Sequence, residues 1–188
     1  VVVQEIASGL WRWTAPHPEW REGGGWEQEV GSVYYEAPDA TVLIDPLVPP
    51  ERERFFAALD RDVERRGLPV SILLTVEWHR RSSAELAERY ATADTAPASV
   101  EAFAVPEVDE TLWWLPEHGA LVAGDVLVAS ASGLAVCPDS WLDERSSPAS
   151  LRAALRPLLE LPVRRVLVSH GEPELENGRA ALERALRG

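Results

Sequence analysis

Apolar residues recur along this chain in two rhythms, and the switches between them mark out its elements. From residue 1 to 14 apolar and polar positions alternate around Gly9, as two short strands joined by a turn would. Residues 15–31 break the rhythm with Pro16, Pro18, three successive glycines and two tryptophans, and read as a loop. The glycines follow no strand and open no helix, which argues against a phosphate-binding loop. Residues 32–37 and 41–44 then form a hairpin turned at Pro38-Asp39, and its second strand stops at Ile44-Asp45-Pro46. Between Pro50 and Gly67 the period lengthens: Phe55, Phe56, Leu59 and Val63 recur at helical spacing, which predicts an amphipathic helix over 50–66.

The stretch 71–83, SILLTVEWHRRSS, organises the middle of the chain. The apolar run Ile72-Leu73-Leu74 ends at Thr75, a polar loop opens at Val76, and the amphipathic pattern AELAERY predicts a helix over 84–91. This is strand, loop, helix. The carboxyl end of such a strand is where ligands gather in α/β folds, so the loop 76–81 is the first candidate for chemistry. Beyond it, a variable stretch 92–108 holds a short strand between Pro97 and Pro106. Residues 111–115 and 120–123 make a hairpin ending at Gly124-Asp125. Residues 133–148 read as a long loop, 149–161 as a helix, 165–169 as a buried strand with His170 at its carboxyl end, and 174–186 as a last helix.

Composition narrows the possibilities. A chain of 188 residues supports one domain with a real core, so a single domain spanning 1–188 is expected. The formal charge is −13 and no run of arginine breaks the acidity, which disfavours nucleic acid and anionic membranes as partners. The single cysteine, Cys137, allows neither an internal disulfide nor a zinc-type cysteine spacing, and reads as a small buried residue. Apolar runs of strand length and an N-terminus opening VVVQEI without a charged leader predict a soluble, cytoplasmic protein. His17 and His118 fall in a loop and a hairpin tip and are expected to be exposed. Ser169 is expected to cap its strand. Trp11, Trp13, Trp20, Trp26 and Trp78 fall in or near segments that overhang the candidate site, where they either line a pocket or pack between sheet and loop.

The joint order of LIDP, LLT, LPEHG, GD and SHGEP resembles the metallo-β-lactamase (MBL) fold hydrolases over nearly the whole chain. That resemblance implies an α/β fold of four layers, an αββα sandwich, in keeping with the order of predicted elements. It also implies that Asp45 supports the active-site loop from behind, and that Asp125 and His170 stand at metal-ligand positions. The family's HxHxDH signature, aligned from Thr75, falls on Val76, Trp78, Arg80 and Arg81, none of which carries the family's side chain. The family's third histidine falls near Pro106 or Glu107 and is missing too.

A hydrolytic metal centre takes about three protein ligands and an open position. Val76 cannot ligate, Trp78 fills space, and Arg80 or Arg81 brings a permanent cation to the place of a dication. An empty metal site with no cofactor is therefore expected, its pocket formed by Val76, Trp78, Arg80, Arg81, Asp125 and His170. An arginine, Arg81 ahead of Arg80, would neutralise Asp125. A competing reading shifts the register: Glu77 and His79, in E-x-H spacing, join Asp125 and His170 around one zinc, iron or manganese ion. Three functions stay open. The first is a catalytically dead small-molecule binding or scaffold protein. The others are a single-metal hydrolase of a thioester, ester or lactone-like molecule, and a small-anion binder with an arginine-lined pocket. Oligomeric state cannot be read from the sequence.

Overall fold

Strands β1 (Val2–Ala7), β2 (Leu10–Pro16), β3 (Glu29–Glu36), β4 (Thr41–Ile44) and β5 (Val70–Leu73) form one five-stranded sheet in that order. The coordinates are a computed structural model describing residues 2–93 and 95–187, so Val1, Asp94 and Gly188 of the segments predicted above lie outside the described residues. Neighbours are antiparallel except β4 and β5, which run parallel. The chain divides into two compact units, residues 1–100 and 101–188.

In the first unit, Gly9 takes a φ of 80° to turn β1 into β2, a left-handed conformation that suits glycine. Helix α1 (Arg52–Arg66) lays Phe55, Phe56, Leu59 and Val63 against Trp13, Leu43, Val70 and Ile72 of the sheet. It ends where Gly67, at φ 61°, donates its N–H to the Val63 carbonyl. Helix α2 (Ser83–Tyr90) buries Leu86 in the same core and is tied to α1 by Arg89 and Tyr90, both bonded to Asp60.

The second unit has a four-stranded sheet ordered β11 (Arg165–Val168), β8 (Ala120–Ala123), β7 (Glu110–Leu115) and β6 (Glu101–Val105). β11 lies parallel to β8, and the other pairs are antiparallel. A separate hairpin, β9 (Leu127–Ser130) with β10 (Gly133–Val136), occupies part of what the sequence predicts as loop; the run Leu134-Ala135-Val136 pairs with β9 and packs on the core. Helix α3 (Pro148–Leu155) starts with a Ser147–Ser150 capping box and buries Leu151 and Leu155. It is shorter than the predicted helix, because Pro157 lacks the N–H to continue it and residues 156–160 tighten into a 3-10 turn. Helix α4 (Gly178–Ala185) also starts later than predicted, since Glu174 exchanges backbone hydrogen bonds with Val166 and so is held extended.

Candidate functional site

In the first unit the loop after β5 is folded down by a single carboxylate. Asp45, 2% exposed, follows β4 and accepts from Thr75 N (2.8 Å), Thr75 Oγ1 (2.5 Å) and His79 Nδ1 (2.9 Å). Thr75 gives its hydroxyl proton to Asp45, so both groups facing His79 Nδ1 are acceptors. The imidazole is therefore protonated on Nδ1, and Nε2 carries the lone pair when the ring is neutral. The expectation that Asp45 supports the loop from behind holds.

Val76 is extended and buried, and residues Glu77–Arg80 then close a 3-10 turn through His79 N to Val76 O at 3.1 Å. That turn sends His79 inward, 4% exposed, and Trp78 outward, 62% exposed. The Glu77 side chain is 71% exposed and ion-paired with Arg80, itself 68% exposed. Glu77 and His79 thus do not converge on one point, because a helical turn separates residues i and i+2 where an extended strand would align them. Arg80 is a surface residue.

Arg81 behaves differently from its neighbour. Its φ of 37° is a strained conformation for a non-glycine residue. It is held there by its own guanidinium, whose Nη1 donates to Gly31 O (2.8 Å) and Asp45 O (2.9 Å). The next residue adds two more ties: Ser82 N donates to Pro46 O, and Val48 N donates to Ser82 Oγ.

The second unit repeats the device with a different acid. Glu110, at the head of β7 and 2% exposed, accepts from the N–H groups of Gly124, Asp125 and Val126, each at 2.8 Å. Burial and, after it, the charge of Asp125 push its carboxyl up to about 8, against the pull of the three N–H bonds. Asp125, presented by this clamp, lies with its Oδ1 3.3 Å from His170 Nε2. His170 follows β11 and its carbonyl accepts from Ala129 N; Trp141 meets its ring edge-on at 5.2 Å. Gly171, at φ 87°, lets the chain pass β9 so closely that a Cβ there would stand 2.6 Å from that of Ala129.

Sequence reasoning singled out Asp125 and His170 and missed Glu110, whose only signal is an acidic residue opening a strand that is otherwise apolar. It placed His17 and His118 in solvent, but both are half-buried. The loop 17–28 folds on itself, so that His17 packs edge-on to Trp26 and accepts from Glu19 N. Burial lowers the pKa of His118. Cys137 is buried, and its thiol is pushed up to about 11 by desolvation and then by nearby acids. Of the five tryptophans, Trp13 bonds Leu47 O, Trp20 bonds Trp26 O, Trp26 packs on the Ala15 cluster, and Trp11 meets Tyr34 edge-on. These four serve packing, whereas Trp78 is largely exposed.

This geometry matches solved structures along its length. The mono-zinc form of an NDM_FIM-1-like metallo-β-lactamase from Erythrobacter litoralis superposes with a TM-score of 0.63 at 19% identity, over 99% of this chain and 94% of that one. DIM-1 metallo-β-lactamase gives 0.63 at 9% identity over 99% and 94%. A metallo-β-lactamase family protein from Thermus thermophilus gives 0.56 at 16% over 97% and 80%. The chain has the metallo-β-lactamase fold. No family model and no curated protein matches the sequence. Of the residues aligned from Thr75 with the family's signature, Val76 is buried, Trp78 and Arg80 face solvent, and Arg81 donates to backbone carbonyls. No helix among the described residues is long and apolar enough to cross a membrane.

Proposed function

We propose that this chain is an MBL-fold protein without the family's two-metal hydrolytic centre, acting as a small-molecule binding or scaffold protein. The observation that supports this most is the fastening of the loop 74–82 by protein contacts. Asp45, Arg81 and Ser82 tie it to the β4–α1 segment, work that an ion and its ligands would otherwise share. Chain purified without chelator should carry zinc, iron and manganese well below one ion per molecule, and added zinc should leave Tm unchanged. A near-stoichiometric metal content that disappears in Asp125→Ala overturns the reading.

One observation favours a second reading. The 3.3 Å between Asp125 Oδ1 and His170 Nε2 is close to the separation of two ligands that each stand about 2.0–2.1 Å from a tetrahedral zinc ion. Of the two loop residues that the shifted register offers, Glu77 is turned to solvent. His79 is turned inward within its own unit, and its Asp45-bonded Nδ1 is how ligating histidines are commonly oriented. A single zinc, iron or manganese ion held by Asp125 and His170 would supply a Lewis acid toward the carbonyl of a thioester, ester or lactone. The metal analysis separates the two readings.

A further inference from the structure

The three N–H groups that meet Glu110 belong to consecutive residues, Gly124, Asp125 and Val126, in the turn between β8 and β9. Successive amides aimed at one point make a nest for an anion, and in a buried turn they need an acceptor. Because β7 and β8 run antiparallel, the head of β7 comes beside the tail of β8, and Glu110 fills the nest from there. The choice of acceptor is costly. The Glu110 carboxylate is disfavoured by burial and, after it, by the charge of Asp125, a penalty that a neutral acceptor escapes. A cation at Asp125 relieves that repulsion, so the pairing of these two acids suits a turn that presents a ligand better than one that only closes a chain.

The clamp also decides where the Asp125 carboxylate stands. An aspartate carboxylate is placed only as well as the backbone beneath it, and here that backbone is held at three successive N–H groups. Asp125 Oδ1 is thereby set 3.3 Å from His170 Nε2, the separation that suits two ligands of one tetrahedral ion. His170 is fixed from its own side by the bond from Ala129 N to its carbonyl and by the edge of Trp141.

We infer that Glu110 is a positioning residue that sets the affinity of the Asp125–His170 pair for a divalent cation. It acts through Asp125, whose N–H it binds and whose carboxylate it aims. Partners one step behind a metal ligand typically contribute about 10–100-fold in affinity. The inference rests on the single-ion reading and adds to it a residue from outside the ligand set.

The test is titration of the full chain, stripped of metal beforehand, with zinc in competition with a chromophoric chelator. Glu110→Gln keeps the size and loses the charge, while Glu110→Asp keeps the charge and withdraws it by one methylene. Each should weaken zinc binding at least about tenfold. Val163→Ala, a truncation in the core of the same unit, controls for lost stability and should bind zinc as the wild type does. Cobalt(II) in place of zinc gives a visible spectrum that reports ligand geometry, and it should differ between wild type and folded Glu110→Asp. In the wild type, the Glu110 carboxyl carbon resonance should move on saturation with zinc, a readout that depends on no variant. Full zinc affinity in either Glu110 variant, an equal loss in Val163→Ala, an unchanged cobalt spectrum or an unmoved Glu110 resonance overturns the inference while zinc binding by the wild type stands. A wild type that binds no zinc overturns the single-ion reading, and the inference with it.

Discussion

Arg80 and Arg81 are adjacent in sequence, yet one is bound to solvent-facing Glu77 and the other to two backbone carbonyls. Removing Arg81 leaves those carbonyls without a charged donor and the φ of 37° without its restraint, so Arg81→Ala should lower stability by about 2–3 kcal/mol in urea unfolding. Arg80→Ala should be near neutral in the same experiment. Glu110 allows a pH prediction. Its carboxyl is raised from 4.5 to about 8 in the folded chain, so the folded state holds the proton more tightly than the unfolded one. The stability it adds is complete below about 4.5 and is lost as pH rises through about 8. Unfolding free energy of wild type minus that of Glu110→Gln should therefore fall across this window, with a slope no steeper than about 1.4 kcal/mol per pH unit. Asp125 and His170 were legible in the sequence because each ends a strand in a recognisable string. The inward turn of His79 was not, since the direction of a side chain on an irregular loop depends on Asp45, distant in sequence.

The elements that the sequence announced are those with local punctuation. Gly9, Gly67 and the Pro38-Asp39 turn stand where the rhythm changes, and the structure puts boundaries there. The β9–β10 hairpin was missed because its strands are four residues each and its turn, at Ala131-Ser132, lacks the glycine or asparagine pairs that mark hairpins. The extent of the last helix was missed because Glu174 is held extended by Val166, a long-range pairing that periodicity does not register. Where β9 meets the end of β11, packing has no slack. Gly171→Ala should destabilise by more than about 1 kcal/mol, from the left-handed φ and from collision with Ala129. Adding Ala129→Gly should recover the steric part and leave the backbone part, which a double-mutant cycle in denaturant will separate.

At the scale of the whole molecule, 31 acidic residues oppose 18 basic ones. Mutual repulsion of this excess opposes the compact state, and salt screens it. Raising sodium chloride from tens to hundreds of millimolar should increase Tm by roughly 2–4 °C, the shift that about 1 kcal/mol produces in a chain of this length. The fold was readable from the order of five short strings, while a ligand was not, because one fold serves many sites and only surface detail distinguishes them. Cys137 gives the molecule one further property. Its thiol is buried, its acidity is suppressed, and the chain has no other. An alkylating reagent at neutral pH will find almost no thiolate in the native protein and will react when the second unit opens. The chain therefore carries its own chemical clock, and the rate at which native molecules gain a single alkyl mass reports how often that core comes apart.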